Sequence, residues 1–208
     1  YVGDHAYLEM EYVEISNNIA HPSSSGTGGG ICISDQDNGD PPSIGKLTNV
    51  TIFGNNATYG PSIYLAHGNS FANIQNSIIG GDIETNQPDF GNPSHLTIDY
   101  TNFTPGNEIR ADVLSSSAVI YNLSTFGTNN INIDPVFVDP VNYDFHLQST
   151  SPCIDSGNPD PLYNNIDGSR NDMGAYPYIQ IPPILGCTDS TAINYNYLAN
   201  TDDSSCYY

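Results

Sequence analysis

Tryptophan is absent from this chain and cations nearly so. Three Lys and Arg stand against 23 Asp and Glu in 208 residues, a formal charge of −20. Phosphate recognition needs clustered cations, so nucleic acid is excluded as a partner. An anionic membrane surface is disfavoured for the same reason. No stretch approaches the ~18 consecutive apolar residues that a membrane-spanning helix requires. There is no initiating Met and no signal-like opening; the chain starts at Tyr1 in a strand-like context and reads as a mature or excerpted product.

What is abundant is turn and strand chemistry. Fifteen Tyr, 19 Gly and 15 Pro sit among many Asn, Ser and Thr, the profile of an all-β extracellular protein. Strand-like segments recur at Leu8–Ile15, Leu47–Phe53, Phe71–Ile79, Leu96–Phe103 and Ala118–Leu123, most running into Asn, Gly or Ser. Aligning Ile15, Ile52, Ile79 and Phe103 gives steps of 37, 27 and 24 residues. A period in the twenties points to a solenoid, the longer first step coming from an insertion at about 34–43. A second strand per coil follows Gly28-Gly-Gly-Ile-Cys-Ile33 and Gly60-Pro-Ser-Ile-Tyr-Leu65. A β-sandwich of short strands is the alternative.

Four phrases close the main body: Asp134-Pro-Val-Phe-Val-Asp-Pro, Tyr143-Asp-Phe-His-Leu, Ser151-Pro-Cys-Ile-Asp-Ser-Gly, and Asp167-Gly-Ser-Arg with Met173-Gly-Ala-Tyr176. In this order they resemble the closing segment of bacterial secreted right-handed parallel β-helix proteins of the pectate-lyase-like superfamily, non-catalytic type. The resemblance implies a parallel β-helix over 1–178 with the closing segment at 134–178. Ile181-Pro-Pro-Ile-Leu then reads as a stiff linker over 179–185. Residues 186–208, running from Gly186-Cys-Thr-Asp to Asp202-Asp-Ser-Ser-Cys206, resemble a Cys- and Asp-rich module found at the ends of bacterial secreted proteins. Within that setting Cys187 and Cys206 are expected to form a disulfide worth ~3 kcal/mol. Cys32 and Cys153 read as buried thiols.

Oxygen-rich sets are the candidate Ca²⁺ ligands. One is Asp35, Asp37 and Asp40, which departs from the EF-hand pattern and reads equally as an acidic turn. The other is Asp189, Asp202 and Asp203. Asn49, Asn56, Asn102 and Asn122 match the N-glycosylation sequon, although such matches arise by chance in an Asn- and Thr-rich chain. Ser190 lies in a short O-glycosylation-like phrase.

A polysaccharide lyase needs a cationic base beside neutralised uronate; Lys46, Arg110 and Arg170 are the whole supply. Glycoside hydrolysis needs paired carboxylates, and Asp99 and Asp112 are isolated. The expectation is therefore a non-catalytic structural or adhesive protein at the cell surface. It would self-associate through its ends into a filament or contact other surface proteins. The competing reading is a module that binds, or with less support cleaves, polysaccharide, with Tyr64, Tyr100 and Tyr121 as candidate platforms, although strand alternation could equally place them in the core.

Overall fold

A computed structural model of the chain describes residues 1–20, 26–35, 41–67, 69–86, 95–111, 119–121 and 123–208. Among these the protein is all-β, with helix confined to 3₁₀ turns of three or four residues. It forms two compact units, Tyr1–Tyr178 and Ile179–Tyr208.

In the first unit the chain alternates between two sheets. One is built from β1 (Val2–Gly3), β3 (Ile31–Ser34), β5 (Ile63–Ala66), β8 (Ile83–Thr85), β11 (Ile109–Ala111) and β12 (Val119–Tyr121), in that spatial order. The other takes β2 (Tyr7–Ser16), β4 (Ser43–Phe53), then β6 (Ser70–Gln75) with β7 (Ile78–Gly80), then β9 (His95–Asp99) with β10 (Asn102–Phe103). Every neighbouring pair is parallel except β11 with β12, which turns back antiparallel. One circuit through both sheets is a coil, and each coil lays its strands on those of the coil before.

The registers follow the repeat phrasing. Ile15 pairs with Ile52, Ile52 with Ile79, and Ile79 with Phe103. In the facing sheet Ile31, Ile63, Ile83 and Ile109 are successive partners. Because strand side chains alternate between faces, each such row points to one side of its sheet. Both rows point inward: Ile52, Ile63, Ile79 and Ile83 have no exposed surface, and all these residues beyond the first coil belong to one core cluster. Burying an Ile fully is worth ~1.5–3 kcal/mol, so the stacked rows are the main source of cohesion.

Gly30 shows how closely the coils approach. A Cβ there would lie 2.5 Å from the Ser62 carbonyl oxygen and 2.9 Å from Ile52 Cγ2. Its neighbour Ile31 donates its N–H to the same Ser62 carbonyl at 2.9 Å, so backbone meets backbone at that point.

Residues 134–178 carry a small antiparallel hairpin, β13 (Phe137–Asp139) with β14 (Asp144–Leu147). Phe137, Phe145, Leu147, Cys153 and Met173 form a second core cluster with Ile78 of the coils, and Phe53 packs against it. Phe53, Phe137 and Phe145 meet ring to ring at 5.2–5.3 Å.

In the second unit β15 (Leu185–Gly186) pairs in parallel with β16 (Thr201–Asp202). Cys187 and Cys206 are joined by a disulfide. Cys32 and Cys153 are buried free thiols, as expected.

Adding one methyl group at Gly30 is expected to lower stability by about 1–3 kcal/mol through overpacking. Urea denaturation of Gly30→Ala measures this, and an unchanged midpoint would contradict the contact described for Gly30.

Candidate functional site

The second sheet bends at one place in every coil. Tyr12, Asn49, Asn76 and Tyr100 have φ of +53°, +52°, +51° and +46°. They hold equivalent positions: Glu11 pairs with Thr48, Thr48 with Gln75 and Gln75 with Asp99 just before them, and Val13 pairs with Val50 just after. A left-handed residue costs ~1–2 kcal/mol except for Gly, Asn and Asp, which bond locally. The chain therefore takes this conformation four times over at one height, at a cost for Tyr12 and Tyr100. The residue after the bend helps: Ser77 Oγ donates to the Gln75 carbonyl at 2.7 Å, and Thr101 Oγ1 to the Asp99 carbonyl at 3.0 Å.

The bend is where the closing segment docks. Asn49 Nδ2 donates to Asn171 Oδ1 at 3.0 Å, to the Asp172 carbonyl at 2.9 Å and to the Gly174 carbonyl at 3.3 Å. The Asn76 carbonyl accepts from Gly174 N–H at 2.8 Å, and its Oδ1 accepts from Asn158 N–H at 2.7 Å. Thr51 Oγ1 accepts from Ala175 N–H at 2.9 Å. Gly174, at φ +105°, permits this approach; a Cβ there would sit 2.8 Å from Ile78 Cδ1. Asp172 is fully buried and takes N–H bonds from Asp155 at 2.7 Å and Tyr178 at 2.6 Å. Burial holds its carboxyl above the usual carboxylate range despite those bonds.

These positions bear on two of the sequon matches. Asn49 is 2 % exposed with its amide spent on three acceptors, so it is no glycan acceptor in the folded chain. Asn102 is likewise fully buried, its Nδ2 lying 3.0 Å from Cys153 Sγ. Burial pushes the Cys153 thiol up to about 11, so it is protonated and inert at neutral pH. Asn56 and Ser190 are exposed; Asn122 lies outside the described residues.

The Tyr platform is also corrected. Tyr64 is 4 % exposed, packed with Cys32, Ala66 and Tyr59, and burial raises its phenol to about 12. Tyr100 is half-buried at the bend, with the Arg170 guanidinium 6.0 Å from its ring centroid. Tyr121 is exposed, beside Phe126 at 6.2 Å. The three lie in different surroundings and make no row.

The described candidate Ca²⁺ ligands accept hydrogen bonds from within the chain. Asp35 is fully buried, 3.4 Å from Asn69 Nδ2, and Asp37 and Asp40 lie outside the described residues. Asp189 accepts from Thr191 N–H and Oγ1, each at 2.8 Å, and from the Tyr208 hydroxyl at 2.6 Å. Asp202 and Asp203 accept from Ser204 and Ser205 N–H at 3.1 and 3.0 Å. Among the described residues no three His, Cys, Asp or Glu come together in a way that could hold a metal ion.

Charge on the coils is spent on joining them. Arg110 meets Asp82 and Glu84 at 3.2 Å and Glu108 at 2.7 Å, tying two successive coils. Lys46 meets Glu9 of the preceding coil at 2.7 Å.

The remaining feature is the first coil. Val2, Leu8, Met10, Val13 and Ile15 pack on the core but stay half-buried. Of their partners one coil on, Ile33, Leu47, Val50 and Ile52 have no exposed surface. Among the described residues β2 pairs only with β4, and β1 only with β3. The far end differs: β12 folds back on β11, and Leu123 and Phe126 pack against the core. At both ends of the stack the outermost strand, β2 or β12, has one strand neighbour among the described residues.

No known protein family, curated protein or solved structure matches the chain. Among the described residues no helix is long and apolar enough to cross a membrane.

Replacing the Asn49 amide should leave three buried acceptors unpaired and put a residue less tolerant of the left-handed conformation at the bend. Asn49→Ala is expected to cost about 2–4 kcal/mol in urea unfolding. A loss below about half a kcal/mol would contradict the docking described.

Proposed function

We propose that this chain is a non-catalytic extracellular structural protein, built as a right-handed parallel β-helix of the pectate-lyase-like kind, that assembles with copies of itself or with other surface proteins. The observation that carries this reading is the stack of parallel strands, bound by buried Ile rows and by ion pairs between coils. The edges of such sheets are templates for strand addition. The alternating parallel registers support the helix, and the Cys187–Cys206 disulfide is compatible with an oxidising compartment.

The polar inventory supports the same reading. Asn49, Asn76, Asp172, Arg110 and Glu84 are committed to holding coils and closing segment together rather than converging on an open cleft. A second reading, polysaccharide binding, is favoured by one hollow of about 400 Å³ lined by Tyr121, Glu108, Asn107 and Asn132 among others. It offers an aromatic ring beside a carboxylate and amides, the groups that sugars use.

Electron microscopy of the native secreted material, with the mass of the particles measured in solution, tests the first reading. Regular assemblies containing the chain are expected. Dispersed single chains would overturn it and favour the sugar-binding alternative.

A further inference from the structure

On the first sheet Tyr64, Glu84 and Arg110 are direct partners on β5, β8 and β11. Their neighbours Ile63, Ile83 and Ile109 belong to the core, so alternation turns this row to the outer side. Glu84 is nevertheless only 3 % exposed. Asp82, Glu84 and Glu108 share the one Arg110 guanidinium, so this joint between two coils holds more negative than positive charge. The shortest contact, 2.7 Å, goes to Glu108, the most exposed of the three, while Asp82 and Glu84 lie at 3.2 Å. Glu84 accepts from Arg110 through Oε1 alone, and its Oε2 is buried with no hydrogen-bond partner. The buried Asp172 differs, because each of its oxygens accepts an N–H. A buried carboxylate short of donors is costlier than the neutral acid.

We propose that the joint between β8 and β11 is an acid-tightened latch, in which Glu84 takes up a proton on Oε2 and the two coils hold together more firmly. The proton comes from solvent, Oε1 keeps its bond from Arg110, and the joint loses one negative charge. Burial holds the Glu84 carboxyl above the usual carboxylate range, against the pull of the Gly60 N–H and of Arg110, and Asp82 adds to the rise. The folded chain therefore binds this proton at a pH where the unfolded chain has released it. Stability is gained as pH falls through the folded value, and the gain is complete below the unfolded one. The latch is a property of the single chain, whatever that chain assembles with.

The groups around Glu84 single it out. Asp82 precedes β8, Glu108 precedes β11, Arg110 lies on β11 and Tyr64 on β5, with Cys32 and Tyr59 packed beyond Tyr64. Burial raises the Tyr64 phenol and the Cys32 thiol, and the Glu108 contact raises Arg110, so none of these three changes charge in mild acid. Asp82 and Glu108 are more exposed than Glu84. Asp82 also has a second donor, since its Oδ1 accepts from Glu108 N–H at 2.8 Å.

Urea unfolding of the full chain and of Glu84→Gln, at about pH 7 and about pH 5, tests the latch. Gln keeps the shape of the protonated acid and does not titrate. The unfolding constant of the unaltered chain, divided by that of Glu84→Gln, is expected to fall at least ~threefold from the higher pH to the lower. Asp172, also held high by burial, is present in both chains and cancels in this ratio. A level ratio would overturn the latch. So would a rising one, because the ion pair with Arg110 would then outweigh burial. Should Glu84→Gln fail to fold, the carboxyl-carbon NMR signal of Glu84 in the unaltered chain decides. A titration midpoint above that of glutamate in an unfolded peptide supports the latch, and one at or below it overturns it.

Discussion

The structure depends on a left-handed bend repeated at one height in every coil of the second sheet. Tyr12, Asn49, Asn76 and Tyr100 take the same backbone conformation, and the strands on either side keep their register through it. A single such residue would be a local cost; four in a column define a crease along the stack. The crease turns backbone carbonyls and Asn side chains outward at regular intervals, and residues 157–176 bond along it. The closing segment is thereby fixed to three coils at once, through Thr51, Asn76 and Asn102 as well as Asn49.

Stacking and charge explain why the two ends of the unit differ. Parallel coils bury apolar rows only where another layer covers them, so the terminal layers need either a cap or a partner. Here β12 folds back on β11 and Leu123 and Phe126 pack against the core, while β2 has β4 as its one strand neighbour among the described residues. Of the three cations, Lys46 and Arg110 are placed where they join two coils, while Arg170 bonds the Gly157 carbonyl within the closing segment.

The inward rows were the most legible part of the sequence. Ile15, Ile52, Ile79 and Phe103 could be aligned because a buried stacked position admits few residue types, and they are direct partners in the structure. The equivalence of Ile31 with Ile63 was visible for the same reason, helped by the Gly before each strand. The bend was not legible, since Tyr, Asn, Asn and Tyr share a backbone angle and no side-chain chemistry. The 27-residue step from Asn49 to Asn76 was the one available signal. Asn49 instead drew attention as a sequon, because a three-residue pattern carries no information about burial. Tyr64 was misplaced for a related cause: it faces away from the main core, yet Cys32 and Tyr59 cover it. The first coil's exposure could not be read at all, because its residues are as apolar as those of the buried coils.

Native-state amide hydrogen exchange of the whole chain, resolved by segment, tests the central claim that closing segment and coils form one bonded body along the crease. Residues 172–176 should exchange as slowly as 43–53, and 7–16 clearly faster, because the former share the crease bonds while β2 has one bare edge. Fast exchange at 172–176, at the level of 7–16 or above, would contradict the account.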